Sequence, residues 1–101
     1  MTFEELDYKI VGWAAKRDIL QNSTPKDQFV KTVEEVGEVA NALARQDKDA
    51  LKDAIGDVLV TLILQARLSG LDPVECLEAA WNEISKRKGE MKDGIFVKEE
   101  K

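Results

Sequence analysis

With 101 residues, 35% of them charged and 44% hydrophobic, the chain has the composition of one soluble globular domain, residues 1–101, near the size at which a core becomes self-sufficient. A net charge of −5 speaks against a sequence-independent grip on nucleic acid polymers or on an anionic membrane surface, both of which need clustered cations. There is no histidine, which removes the usual zinc ligands and the commonest general base, so chemistry here must run on carboxylates, lysines or a metal held by oxygen.

Cys76 is the sole cysteine, so no intramolecular disulfide is available; it is expected to be a small buried side chain in a cytoplasmic protein. The first residues, MTFEELDYKI, lack the features of a secretion signal. The longest apolar run, Val58 to Leu64, is too short to span a bilayer.

Phe3, Leu6, Ile10, Trp13 and Ala14 recur at helical spacing and predict a first helix from about Thr2 to Leu20. Thr24-Pro25 supplies an N-cap and a first-turn proline for a second helix, whose apolar stripe is Phe29, Val30, Val33, Val36, Ala40 and Leu43. Asp47 caps a third helix, which carries Leu51, Ile55, Val58, Leu59, Leu62 and Ile63 and stops at Gly70. Asp72-Pro73 repeats the cap and proline and opens a fourth, through Val74, Leu77, Ala80, Trp81 and Ile84. Asp93-Gly94 lies between two short alternating segments and predicts a hairpin tail. The fold class is all-α, an antiparallel four-helix bundle-like arrangement with a short C-terminal hairpin. From Val58 to Leu64 the third helix is apolar on every side except Thr61, more than three neighbours in a small chain can cover, so a second copy is expected against it.

The second helix contains EEVGE. Glu34, Glu35 and Glu38 are three and four apart and are expected on one side, opposite the Val33, Val36 and Ala40 stripe. By itself this is what a solvated face looks like. The third helix adds DAIGD, in which Asp53 and Asp57 lie one turn apart and Asp57 shares a stripe with Val60 and Leu64. A carboxylate at the head of an apolar seam costs several kcal/mol unless a cation or hydrogen bonds neutralise it. A short connection makes the two helices antiparallel neighbours, which can bring EEVGE level with DAIGD. Gly37 and Gly56 beside the acids would let backbones approach or leave room for a ligand. Carboxylates converging without histidine or thiolate form a hard-oxygen site suited to Mg²⁺, with Mn²⁺ also possible. Such an ion is commonly completed by substrate phosphates. The fourth helix offers Asn82, Lys86 and Arg87, with Lys88 and Lys92 after them, to hold those phosphates.

These stretches, KTVEEVGEVANAL followed by DAIGDVLVTLI, resemble the MazG-like all-α nucleoside triphosphate pyrophosphohydrolases, whose signature is an E-E-x-x-E helix followed by an E-x-x-D helix. The similarity runs from about Trp13 to Arg87, and the tail resembles that of small MazG-like proteins of phages and Gram-positive bacteria. The resemblance implies hydrolysis of a nucleoside triphosphate to a monophosphate and pyrophosphate, a homodimer or homotetramer, and metal ligation by Glu35, Glu38 and Asp57. It also implies phosphate contacts from Asn82 and Arg87, with Lys31 and Lys86 as further candidates. Glu34 is assigned to orient or deprotonate the attacking water or to serve as an outer ligand; Trp13 is a candidate to stack on the nucleoside, although its helical spacing with Ile10 and Ala14 reads first as core, as does that of Trp81. One position departs from the signature: the acid three residues before Asp57 is Ala54, which makes Asp53 the alternative donor and leaves open a noncatalytic binding or interaction module on the same fold. The preferred base, and whether water attacks the α or the β phosphorus, also stay open.

Overall fold

Residues 1–99 are described by the structure, a computed structural model. Helix α1 (Phe3–Lys16) begins at a reciprocal capping box, in which the Thr2 hydroxyl accepts from the Glu5 backbone N–H while the Glu5 carboxylate accepts from that of Thr2. It ends earlier than the periodicity predicts. Asp18 takes a left-handed conformation, φ 60°, which an aspartate tolerates better than most residues, and a one-turn helix α2 (Ile19–Asn22) follows.

Helix α3 (Pro25–Ala44) starts as expected from Thr24, whose hydroxyl accepts from the Asp27 N–H at 3.1 Å. A tight turn joins it to α4 (Lys48–Leu68). Gln46 is left-handed (φ 55°), the N–H groups of Gln46 and Asp47 return to the carbonyls of Leu43 and Ala42, and the Asp47 carboxylate caps α4 through Ala50. Gly70 (φ 75°) closes α4 in the same manner, with Gly70 and Leu71 donating to the carbonyls of Arg67 and Ala66. Asp72-Pro73 then opens α5 (Pro73–Ile84), and between α4 and α5 the chain turns through 103°. The expected antiparallel packing therefore holds for α3 and α4 but not for α5, because the Gly70 cap redirects the chain before it restarts.

The all-α, bundle-like fold is as the periodicity predicts, but within one chain it is open. Helix α4 is the hub, packing extensively against α3 and also against α1, α2 and α5, whereas α3 meets no other helix. Among the described residues the buried set is Ala14, Ala42, Ala54, Ile63, Leu64 and Pro73 with Asp7, Gln28, Thr32 and Thr61, and no large side chain is wholly enclosed. The radius of gyration is 16.1 Å, against about 13 Å for a compact chain of this length. The stripe expected to be core on α3 faces outward, with Phe29, Val30, Val33, Val36 and Leu43 each more than half exposed. Trp81, expected in the core, is 61% exposed, and Cys76, expected to be buried, is exposed. These stripes are amphipathic as predicted; their apolar sides have no covering element in the chain.

The tail forms the expected hairpin of β1 (Gly89–Lys92) and β2 (Ile95–Lys98), pairing Gly89 with Lys98 and Lys92 with Ile95. Asp93 and Gly94 both have positive φ, which a two-residue turn of this hand requires. No described helix is by itself long and apolar enough to cross a membrane.

Candidate functional site

The face that α3 turns toward α4 is polar and small. Gln28, Thr32 and Ala42 are buried there, and Glu35 and Val39 are half-buried, at alternating steps of four and three. From α4, Ala54 and Thr61 are buried and Val58 is half-buried, on one helical face. The register is set by the Gln28 side-chain amide, which donates to the Thr61 carbonyl at 3.4 Å. Glu35 lies two turns beyond Gln28, so in an antiparallel pair it is level with Ala54, two turns before Thr61. By the same count Asp57 is level with Thr32. The two acidic stretches therefore share one segment of the seam.

The carboxylates do not behave alike. Glu35 keeps only 17% of its side chain exposed, whereas Glu34 keeps 63%. Glu38, Asp53 and Asp57 are exposed. Thus Glu35 alone joins the inner face, and the expectation that all three glutamates lie together opposite an inward apolar stripe is corrected: that stripe is outward. Lys31 Nζ is 3.3 Å from Glu35 Oε1 and 3.6 Å from Glu34 Oε2. The hydrogen bond and charge of Glu35, with a smaller contribution from Glu34, raise the Lys31 pKa above its ordinary 10.5. Asp57, expected to be desolvated, is exposed; the seam's neutral lining at Ala54 and Val58 turns it outward.

Among the described residues no three acidic or thiol side chains are gathered closely enough to cage a metal ion. Donor chemistry nevertheless fits Mg²⁺, an ion that keeps several waters and takes one or two carboxylates plus substrate phosphates rather than a full protein cage. Ala54, at the signature's acid position, is only 5% exposed, so the seam is filled there by a methyl group. An added Cβ at Gly37 or Gly56 would meet nothing within 4 Å, so these glycines allow no close backbone approach within the chain and border open surface.

Phosphate candidates on α5 lie elsewhere. Asn82, Lys86 and Arg87 sit at the exposed end of α5 and the turn after it, and α5 packs on α4 and α1 but not on α3. Trp13 is on α1, which likewise does not touch α3. The Arg17 guanidinium lies over its ring, 4.6 Å from the centroid, and donates to the Trp13 carbonyl. Within one chain the structure brings Lys31, Glu34 and Glu35 together and leaves Trp13, Asn82, Lys86 and Arg87 apart from them.

One charged constellation was not anticipated. Asp7 of α1, its side chain 6% exposed, accepts from Arg67 of α4, and Asp72 stands 3.8 Å from the same guanidinium. Asp7 raises the Arg67 pKa by hydrogen bonding and charge. Half of the signal was present, since Asp7 interrupts the α1 apolar stripe; Arg67 lies in the last turn of α4, where the helix dipole alone accounts for a cation.

The chain is 37% identical over 71 residues to an 18.2 kDa protein of Haemophilus phage HP1 (strain HP1c1), described only by its place in the rep-hol intergenic region; the match covers 70% of this chain and 44% of the relative. The chain thus spans less than half the length of that relative. No solved structure matches it. Residues 23–91, which hold the whole α3–α4 pair with its two acidic stretches and α5, match the family described as the MazG nucleotide pyrophosphohydrolase domain, and the chain belongs to that family.

Proposed function

We propose that the chain is a Mg²⁺-dependent nucleoside triphosphate pyrophosphohydrolase, with Mn²⁺ as a substitute ion, that releases a nucleoside monophosphate and pyrophosphate. It would serve the removal of noncanonical nucleotides or the control of deoxynucleotide pools, in a reducing cytoplasm that suits its single free Cys76. The observation that carries this reading is the polar α3–α4 seam, in which Glu35 is half-buried level with the second acidic stretch. A helix pair held only for stability has no reason to place a carboxylate there.

Glu35, Glu38 and Asp57 would hold the ion, with Asp53 as a further donor; when bound, it would offset the charge of the triphosphate and acidify a water. Glu34, exposed beside Glu35, orients the attacking water or takes its proton. Lys31 neutralises Glu35 when no substrate is present and is free to turn to a phosphate when one arrives. Asn82, Lys86 and Arg87 stabilise the departing pyrophosphate, and since α5 does not reach α3 within the chain, a neighbouring copy supplies them. Trp13 offers a base the ring face opposite Arg17. The assembly is a homodimer or homotetramer built on the outward stripes of α3 and α4, whose exposed Phe29, Val33, Val36, Leu59 and Leu62 form the apolar surface an interface needs.

The test is incubation with Mg²⁺ and a panel of ribo- and deoxynucleoside triphosphates, with products resolved by chromatography. Equimolar monophosphate and pyrophosphate are expected, with Glu38→Gln lowering turnover by about 10²-fold or more. Ala54 favours one second reading, a noncatalytic nucleotide-binding protein. Saturable triphosphate binding by calorimetry, with no monophosphate from any nucleotide, would establish that reading instead.

A further inference from the structure

The C-terminal hairpin touches no helix of its own chain. A two-stranded hairpin alone in water is marginally stable at best, so a sequence that specifies one closely implies a surface to support it. This one is closely specified. Asp93 and Gly94 set the turn, and at Gly89 an added Cβ would collide with the Val97 carbonyl oxygen and the Phe96 ring, so the position favours glycine. Nor does the hairpin hang loosely. The N–H groups of Ser85, Lys86 and Arg87 donate to the carbonyls of Trp81, Glu83 and Ile84, and Glu99 closes the base of the hairpin by donating to Lys88. Met91, Ile95, Phe96 and Val97 are nevertheless all exposed on it.

Along α5 from Pro73 to Ala80 lie two adjoining hollows. One, of about 440 Å³, is an apolar trough lined by Phe3, Leu59, Leu62, Leu71, Cys76 and Leu77 among others. The other, of about 610 Å³, is ringed by the carboxylates of Glu4, Asp7, Asp72, Glu75 and Glu78 around Arg67, and Asp7 Oδ1 is buried there without a hydrogen-bond partner. They meet at α1 and α5, where Phe3 opens on the first and Glu4 on the second, and where Leu71 and Asp72 divide in the same way. The hairpin and the turn before it have the complementary pattern. Lys86, Arg87, Lys88, Lys92 and Lys98 outnumber Glu90, Asp93 and Glu99, in a protein whose overall charge is −5.

We infer that the hairpin is an exchange arm: in a pair of copies, the arm of each seats its apolar side chains in the other's trough and sets its cations against the adjoining carboxylates. A second copy is the occupant because the hairpin touches no helix of its own chain, while its apolar side chains and that chain's trough both stand uncovered. Reciprocal exchange closes on a two-fold axis, which satisfies both troughs and both arms at once.

Cys76, the only cysteine and part of the trough, provides the test. Met91→Cys and, separately, Phe96→Cys are treated with a short bismaleimide in a mixture of ¹⁴N- and ¹⁵N-labelled full-length protein, and the linked peptides are read by mass spectrometry. The expected product runs at twice the monomer mass and joins position 91 or 96 of one isotope to Cys76 of the other, and it is lost when Cys76→Ser is added. Links confined to a single isotope, links only between the introduced thiols, or unlinked protein with a wild-type circular dichroism spectrum would each overturn the arm exchange. As a second measurement, Phe96→Asp should shift the sedimentation coefficient toward that of a smaller species; an unchanged assembly counts against the arm.

Discussion

Helix α4 has two working sides, and they are built differently. Where it meets α1 and the start of α5, it carries Ile63 and, one turn later, Arg67, which engages the buried Asp7 and approaches Asp72. Where it meets α3, the enclosed groups are small or polar, with Ala54 and Thr61 facing Gln28, Thr32, Glu35 and Ala42. The first side fixes the position of α1 by a specific pair of charges. The second holds two helices close while burying little apolar surface, which leaves a half-buried carboxylate with a single cation beside it. Apolar area removed from water is the main stabilising contribution in folding, so the α3–α4 seam is weakly held for its length. A seam of that kind suits a site that must admit water and charged ligands, and it explains why α3 carries an outward apolar stripe that only another molecule can cover.

The largest effect should come from breaking the first side. Arg67→Met leaves Asp7 buried without a counter-charge and is expected to cost about 3 kcal/mol, the lower end for a broken buried pair because Arg67 keeps 34% of its side chain in solvent. Urea unfolding checks it. Adding Asp7→Leu should recover most of the loss, since an apolar pair can replace a buried ionic one. A smaller loss, about 2 kcal/mol, is expected for Ala54→Glu in EDTA, because a carboxylate then enters a seam that holds only a methyl group. Because this change restores the missing acid of the signature, Mg²⁺ should raise the melting temperature of the variant more than that of the wild type. Equal shifts would count against a cation at this segment of the seam.

The helix limits were legible because their causes are local. Thr24-Pro25, Asp47, Gly70, Asp72-Pro73 and Asp93-Gly94 act on backbone groups within a few residues of themselves, and each does in the structure what its chemistry predicts. The amphipathic stripes were legible too, but not their partners. A run such as Phe29, Val33 and Val36 records that one side avoids water, and is silent on whether the cover comes from the same chain. That silence also explains Trp81 and Cys76. At the candidate site, the pairing of the two acidic stretches could be read from a short connection between helices, whereas the separate fates of Glu35 and Glu34 depend on a register set by Gln28 and Thr61, 33 residues apart. The Asp7–Arg67 pair spans 60 residues, and only the oddness of Asp7 within the α1 apolar stripe announced it.

The connection that sets this register can be altered without touching the seam. Gln46 has φ 55° in the tight turn between α3 and α4, a conformation that costs a residue with a side chain about 1–2 kcal/mol. Gln46→Gly relieves that strain but frees the unfolded chain, so a net gain of about 0.5 kcal/mol is expected, measured as a higher urea midpoint at constant slope. A loss would mean that the Gln46 side chain contributes more than its backbone conformation costs.

The smallest effect is the most informative about the seam. The pKa of Lys31 is raised by Glu35 and Glu34, so the folded state holds this proton more tightly than the unfolded state does. The contribution is fully present below the ordinary lysine value of 10.5 and is lost as pH rises through the higher folded value. Wild type should therefore melt slightly above Lys31→Met by a constant margin from neutral pH to about pH 10, and the margin should close above that range. On the proposed function a divalent cation would compete with Lys31 for the Glu35 carboxylate, so Mg²⁺ should narrow the margin at neutral pH, and the variant should bind Mg²⁺ more tightly. If Mg²⁺ leaves the margin unchanged while still shifting both melting temperatures, the ion binds away from Glu35 and the seam's half-buried carboxylate serves only its lysine.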